Sequence, residues 1–171
     1  MINLTFDFAA RGEADVSPCG LYRYTLTRHL AGTGEPLVFV MLNPSTADAS
    51  HDDPTLRRCI GFGRAFDRSR IHVVNLFAFR TPYPAELKKA HAAGVDLIGP
   101  RGEQVLDAIA GTVVCAWGPP AWPFVRERAS VVAERLAARG PLFCRGRSRD
   151  RSPRHPLMLP GAAQLEPWGP R

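Results

Sequence analysis

The sequence contains no apolar run long enough to cross a membrane. The longest, from Leu37 to Leu42, has the length of a β-strand, whereas a membrane-spanning helix needs about 20 apolar residues. Residues 1–7 also lack the basic region, the long apolar core and the small-residue cleavage site of a signal peptide. We therefore expect a cytoplasmic protein that does not associate with a membrane.

Metal-binding patterns of cysteine are also lacking. The four cysteines, Cys19, Cys59, Cys115 and Cys144, include no C-x-x-C pair, so the chain has no local zinc or thioredoxin-type motif. Reduced thiols fit the cytoplasm. We predict neither a metal ion nor a cofactor. One alternative stays open, an iron–sulfur cluster held by all four cysteines if the fold gathers them.

The glycine-rich motifs of nucleotide-dependent enzymes are missing as well. Neither G-x-G-x-x-G nor G-x-x-x-x-G-K-[ST] occurs in the chain, so a dinucleotide-binding or P-loop enzyme would lack its phosphate-binding loop. The G-x-S-x-G turn that carries the nucleophile of α/β-hydrolases is also absent. These absences argue against three large classes of enzyme.

Positive charge is concentrated near the C-terminus. The chain has 22 Lys and Arg against 16 Asp and Glu, a net charge of +6, and residues 145–154 alone contribute +4. A concentrated basic segment is typical of polyanion binding, so its arginines predict a polyanionic partner such as nucleic acid. A solvated loop in an arginine-rich chain is the alternative. The arginines of this segment are Arg145, Arg147, Arg149, Arg151 and Arg154.

The length and composition predict one globular domain. The chain has 171 residues, of which 45% are hydrophobic and 22% charged, close to globular averages. We expect residues 1–171 to form a single α/β domain and a monomer. Residues 1–35 would pack on the sheet as an N-terminal flank, and residues 145–171 would form an Arg/Pro-rich C-terminal segment.

The hydrophobic pattern alternates between strands and helices. Four apolar runs predict buried strands at residues 37–42, 71–77, 112–117 and 141–144. Helical spacing predicts helices at residues 53–66, 86–93, 102–110 and 122–139. The fold class is therefore α/β, three-layer α/β/α with a mostly parallel central sheet of about four strands. In the N-terminal flank, residues 21–30 are amphipathic, as in a hairpin or a helix.

Three polar features fall at the ends of the predicted strands. Residues 43–48 follow the first strand, Asn75 interrupts the second, and residues 154–157 follow the last. Because ligands bind outside the carboxyl ends of parallel strands, we expect all three features to face one crevice. The alternatives are a turn with a helix cap at residues 43–48, a buried amide at Asn75 and a solvated loop residue at His155.

Several longer motifs resemble those of a bacterial family of unknown function, DUF1643. The resemblance covers roughly residues 20–168 and implies no activity by itself. It rests on residues 22–24, 41–48, 52–59, 74–78, 116–118 and 153–157.

The order of these motifs is also similar to that in the uracil-DNA glycosylase superfamily. A strand followed by Asn43-Pro44, a strand with Asn75, a strand followed by Trp117-Gly118 and a final His155-Pro156 occur in both. The resemblance implies a uracil-DNA glycosylase-like fold. It also implies that Asn43 positions the attacking water, that Asn75 reads the base edge and that His155 stabilises the departing base.

Cleavage of an N-glycosidic bond needs the residue types found here. The sugar becomes oxocarbenium-like and the base leaves as an anion, so the enzyme needs a positioned water and donors aimed at the base. A flipped base also needs an aromatic or apolar floor, for which Phe62, Phe77 and Trp117 are candidates. Ser45, Thr46 and the five arginines of residues 145–154 would contact the DNA backbone.

These features together predict a DNA glycosylase-like enzyme that acts on a damaged, deaminated or modified base. Two alternatives stay open, a hydrolase of a small nucleotide or nucleoside and a nucleic-acid-binding module without enzymatic activity. Asp48, Asp52 and Asp53 allow a general base or a metal site, although Asp53-Pro54 is also typical of a helix N-cap. The sequence leaves open which base and which form of DNA are accepted.

Overall fold

The structure, a computed structural model, describes residues 12–170 and contains seven strands and four helices in that range. Residues 1–7, on which the expectation about a signal peptide rests, lie outside the described residues. No helix within residues 12–170 combines the length and the apolar character needed to span a membrane. In chain order the elements are β1 (Gly12–Val16), β2 (Arg23–His29), β3 (Leu37–Met41), α1 (Pro54–Ala65), β4 (Arg70–Asn75), α2 (Pro84–Ala92), α3 (Gly102–Ala108), β5 (Thr112–Cys115), α4 (Pro123–Ala137), β6 (Leu142–Cys144) and β7 (Glu166–Trp168), with a 3₁₀ turn at Pro156–Met158 before β7.

All seven strands belong to one mixed sheet. Its order is β1-β2-β4-β3-β5-β6-β7. The four central strands, β4, β3, β5 and β6, run parallel to one another. They coincide with the four apolar runs of the sequence, and the four helices lie where helical spacing predicts them. The alternation of strand and helix is therefore confirmed for the central part of the chain.

The expected sheet of about four mostly parallel strands is too small. Three further strands, β1, β2 and β7, join antiparallel at the two sides. β1 and β7 are only partly buried, and β2 contains two arginines and two threonines. None of them carries the continuous apolar run that marks a strand buried on both faces. The amphipathic stretch at residues 21–30 is the β2 arm of a hairpin with β1.

Side chains of β3 alternate between two hydrophobic cores on opposite faces of the sheet. Leu37, Phe39 and Met41 belong to the core that includes the apolar side of α1. Val38 and Val40 belong to the core that includes α2, α3 and α4. These five side chains are at most 7% exposed, and burial of each stabilises the fold by roughly 1.5–3 kcal/mol.

The direction of winding reverses at β3. Helix α1 connects β3 to β4 on one face, whereas α2 and α3 connect β4 to β5 and α4 connects β5 to β6 on the other face. At such a reversal the connecting loops diverge and leave a crevice outside the carboxyl ends of the strands. The segments that follow β3, β4 and β5 therefore meet at one edge of the sheet.

Arg145, one of the predicted DNA contacts, is 4% exposed and directly follows β6. Its guanidinium carbon lies 3.3 Å from the ring centre of Phe62 and 4.9 Å from that of Phe66. The same group donates to the main-chain oxygens of Gly161 and Ala163. Arg145 thus attaches the C-terminal segment to α1, and its side chain is buried rather than exposed to a DNA phosphate.

We expect Arg145→Ala to lower the free energy of unfolding by about 2 kcal/mol, because it removes buried stacking and hydrogen bonds to two carbonyl groups. Arg149→Ala, which removes an exposed arginine from the same segment, should change it by less than about 0.5 kcal/mol. Urea denaturation followed by circular dichroism measures both. Equal stability of the two variants would contradict a structural role for Arg145.

Candidate functional site

A cavity of about 440 Å³ opens at the carboxyl edge of the sheet. Its lining comes from the segments that follow three neighbouring strands: 42–47 after β3, 81–84 after β4 and 117–119 after β5. Side chains from β2 and from the start of α1 contribute, as does His155. This volume lies within the range of small-molecule sites, about 300–1,000 Å³. The cavity is therefore the candidate functional site.

Asn43 lines the cavity in a fixed orientation. Its Nδ2 donates to the main-chain oxygen of Thr81 at 2.8 Å and to that of Pro44 at 3.1 Å. Because carbonyl oxygens only accept, these partners determine which end of the amide faces them. The Oδ1 atom makes no hydrogen bond to a described residue, so Asn43 offers the cavity an acceptor.

Asp53 joins the cavity to the N-terminus of α1. Its Oδ1 accepts from the main-chain N–H of Leu56 at 2.7 Å, and its Oδ2 accepts from the Ser45 hydroxyl. Pro54 occupies the first turn of the helix, so the N-cap interpretation of Asp53-Pro54 is confirmed. Asp53 is also the one carboxylate among the described residues that line the cavity.

His155 lies at the cavity beside the 3₁₀ turn. Its Nδ1 accepts from the main-chain N–H of Leu157 at 3.4 Å, so the neutral ring carries its proton on Nε2. Burial lowers the pKa of His155, and the nearby Asp53 carboxylate opposes that shift. His155 is therefore a neutral donor at pH 7.

Trp117 provides the aromatic wall of the cavity and is 5% exposed. Its ring meets that of Trp168 edge-on, with 5.2 Å between the ring centres. On the side of α4, Trp117 also lines a second cavity of about 340 Å³, together with Arg147 and Arg151. The contact with Trp168 fixes the position of Trp117, since edge-on aromatic pairs stabilise one geometry.

Arg23 also lines the cavity, although sequence reasoning assigned it no role. It is the first residue of β2 and is 3% exposed. Its Nη1 donates to the main-chain oxygen of Ala47 at 2.7 Å. The sequence contained one signal that could have identified it, an arginine inside an amphipathic stretch. A buried arginine is unusual because it needs compensating partners.

Asp48 and Asp52 lie outside the cavity lining, in a loop held by buried Arg28. Nε of Arg28 donates to Oδ1 of Asp52 at 2.8 Å. The Asp48 carboxylate accepts from the main-chain N–H groups of Ser50 and His51, which hold its pKa well below the usual value. Within residues 12–170, no group of three or more His, Cys, Asp or Glu side chains is placed to hold a metal ion.

Besides the five arginines of residues 145–154, four predicted site residues do not line the cavity. Phe62 and Phe77 belong to the two hydrophobic cores, and Thr46 is exposed on the loop after β3. Asn75 ends β4 beside Met41 and is 8% exposed. Its Nδ2 has no hydrogen-bond partner among the described residues.

Arg149 and Arg154 are exposed beside the mouth of the cavity. They line a smaller cavity of about 260 Å³ that shares two residues, Pro119 and His155, with the main one. The two cavities are therefore adjacent. Of the five predicted DNA-binding arginines, these two combine exposure with a position beside His155, whereas Arg151 is exposed on the cavity that faces α4.

Comparison with protein families finds one matching model, described as a protein of unknown function, DUF1643, over residues 23–157. The matched range includes Arg23, Asn43, Asp53, Trp117 and His155, so it covers the main polar groups of the cavity. Comparisons with curated proteins and with solved structures find no match. The resemblance to DUF1643 is thus confirmed, whereas the resemblance to uracil-DNA glycosylases receives no support from the comparisons.

The partly buried position of His155 predicts a pH-dependent loss of stability. Because its pKa is lowered in the folded state, the unfolded chain binds the proton more readily. The protein should lose stability as the pH falls below about 6.5, the pKa of an unperturbed histidine. In His155→Asn, which keeps an acceptor for the Leu157 N–H, the part of the stability loss that is due to protonation of His155 should disappear. Urea denaturation at pH 8, 6.5 and 5 measures the difference, and identical pH profiles would contradict it.

Proposed function

Because the chain belongs to the DUF1643 family, whose description assigns no activity, we propose a function from the cavity itself: cleavage of an N-glycosidic bond in DNA. The base occupies the cavity against Trp117 while the sugar lies near Asn43. The observation that carries the proposal is the placement of Asn43, with its free Oδ1, and of neutral His155 in the lining of one cavity. An acceptor and a donor are the two polar groups that this reaction requires.

The proposed reaction begins with a water molecule held by Oδ1 of Asn43. The water oxygen bonds to the anomeric carbon, the bond from that carbon to the base nitrogen breaks, and its electron pair leaves with the base. Nε2–H of His155 donates to the base as negative charge develops there. The charge of the Asp53 carboxylate stabilises the oxocarbenium-like sugar, and Asp53 then takes the proton from the water and releases it to solvent. The base regains a proton from solvent, and an abasic sugar remains.

Nucleic acid, rather than a free nucleoside, is the proposed substrate because of the surface beside the mouth. Arg149 and Arg154 are exposed where the smaller cavity adjoins the main one at Pro119 and His155. A strand whose base enters the cavity leaves its neighbouring phosphates at the mouth. Exposed guanidinium groups at this position are suited to contact them.

The same proposal relates the chain to the uracil-DNA glycosylase superfamily. Three of the four short motifs behind that resemblance, around Asn43, Trp117 and His155, contribute to one cavity. The four parallel strands follow the order β4-β3-β5-β6, with helices on both faces, which gives the crevice that such a reaction needs. The fourth motif, at Asn75, ends the neighbouring strand with an amide whose Nδ2 has no hydrogen-bond partner among residues 12–170.

A cleavage assay tests the proposal directly. The substrates are single- and double-stranded oligonucleotides that carry uracil, hypoxanthine, xanthine or a methylated base, and alkali converts abasic sites to strand breaks. We expect at least one substrate to be cleaved, and we expect Asn43→Ala and His155→Ala each to lower the rate by about 10²–10³-fold.

His51→Ala is the matched control, because His51 is exposed and lies outside the cavity lining. It should cleave at the rate of the unaltered protein. Absence of cleavage on every substrate, or equal loss of activity in all three variants, would falsify the proposed reaction.

DNA binding should depend on Arg149 and Arg154. In the double variant Arg149→Ala/Arg154→Ala, the slope of log affinity against log salt should decrease by about 1.8 on duplex DNA, since each lost phosphate contact removes roughly 0.9. Fluorescence anisotropy between 50 and 200 mM salt, roughly the range over which such slopes are resolved, measures it.

The double variant Arg64→Ala/Arg70→Ala removes the same charge from exposed positions at the end of α1 and the start of β4, away from the carboxyl edge. Its salt slope should stay close to that of the unaltered protein. Equal slopes in the two double variants would show that only net charge matters and would count against a specific DNA path at the cavity mouth.

A further inference from the structure

Arg23 is a buried cation that the proposed reaction does not use. Its side chain lines the cavity, and the residue is 3% exposed. A guanidinium has five N–H donors, yet the one hydrogen bond that this group makes to the described residues goes to the main-chain oxygen of Ala47. No carboxylate within residues 12–170 forms an ion pair with it. Arg23 therefore brings unused donors and a positive charge to the cavity.

The surroundings leave this charge incompletely compensated. Burial lowers the pKa of Arg23 to about 10, and the attraction of Asp53 and Asp48 only partly opposes that effect. Both oxygens of Asp53 already accept hydrogen bonds, and the Asp48 carboxylate is used within its own loop. The guanidinium of Arg80 adds further positive charge near Arg23. A buried charge without an ion-pair partner favours binding of an anion.

The strand order determines which end of the cavity Arg23 occupies. Arg23 starts β2, Asn43 follows β3 and Trp117 follows β5, and the sheet order between them is β2-β4-β3-β5. At about 4.8 Å between neighbouring strands, β2 and β5 lie roughly 14 Å apart. Asn43 and Asp53 contribute to the lining between these ends. The cavity thus runs from a cationic end, past polar groups, to an aromatic end.

We propose that the Arg23 end of the cavity binds the phosphate of the nucleotide whose base stacks at the Trp117 end, an assignment of the base end that rests on the proposed function. A planar guanidinium donates two parallel hydrogen bonds to phosphate oxygens. The phosphate is either that of a free nucleoside monophosphate or the phosphodiester of a nucleic acid strand. Both present the same oxygens to Arg23.

Isothermal titration calorimetry at fixed ionic strength tests the proposal with matched pairs of probes. Each of the four deoxynucleoside 5′-monophosphates is compared with its deoxynucleoside, and single-stranded trinucleotides represent the phosphodiester. The unaltered protein should bind each phosphate-bearing probe at least about tenfold more tightly than the matching deoxynucleoside, since a hydrogen bond to a charged group increases affinity by roughly that factor. Inorganic phosphate should compete with the monophosphate and leave binding of the deoxynucleoside unchanged.

Substitutions assign the gain to Arg23. Arg23→Gln should bind the phosphate-bearing probe and its deoxynucleoside with nearly equal affinity, whereas Arg23→Lys should retain part of the difference. Arg70→Gln, which removes an exposed charge at the start of β4, should keep it in full. Thermal denaturation checks that each variant folds. If Arg23→Gln does not fold, the phosphate competition on the unaltered protein decides the question.

The outcomes separate this proposal from the proposed reaction. Equal affinity for nucleotide and nucleoside, absence of binding by every probe, or a gain that survives Arg23→Gln overturns the phosphate site. If the phosphate increases affinity but no oligonucleotide is cleaved, the phosphate site stands and the glycosidic reaction is rejected. If an oligonucleotide is cleaved but the phosphate does not increase affinity, the reaction stands and the phosphate site is rejected. A gain limited to monophosphates identifies a free nucleotide as the ligand, and a gain shared by trinucleotides identifies a strand.

Discussion

Strand β3 is paired on both sides and buried on both faces, and the candidate site depends on this position. Its neighbours β4 and β5 run parallel to it, so all three chains leave the sheet at the same edge. The helices that follow β3 and β4 pack on opposite faces, which separates their connections and opens the cavity between them. Asn43 and Trp117, which are far apart in the sequence, become neighbours for this reason, and the segment after β6 adds His155 to the same cavity.

The N-terminus of α1 then links the fold to the chemistry of the cavity. Asp53 satisfies an N–H group that the first turn of the helix leaves without a partner, and it holds the Ser45 hydroxyl at the same time. Its carboxylate is stabilised by the partial positive charge of the helix end. A group that is needed for the helix is thus also available to the cavity, so substitutions at Asp53 combine a stability effect with any functional effect.

The sequence was sufficient for the parts of the structure that local pattern determines. Leu37–Met41 is continuously apolar because both of its faces are buried, and the strand-end rule pointed to Asn43 and His155 from that strand outward. Phe62 and Phe77 could not be separated from Trp117 in this way, since core and cavity require the same aromatic side chains. Their surroundings come from other elements: a stacked arginine for Phe62 and the ring of Phe124 for Phe77. Strands β1, β2 and β7 were not predicted, for a related reason: strands that are partly buried or contain polar residues have no continuous apolar run.

The arginines show why net charge alone is a weak guide to function in this chain. Arg28 fastens the loop that contains Asp52, and Arg128 joins the main-chain oxygen of Leu76 to the Glu103 carboxylate. Arg145 stacks inside the fold. Because these side chains are held in structural contacts inside the fold, the arginines relevant to an anionic ligand are those that line the cavity or its mouth. That criterion selects exposed groups at the cavity mouth and one buried group, Arg23, within it, so the case for a nucleotide or nucleic acid depends on their placement rather than on the charge of +6.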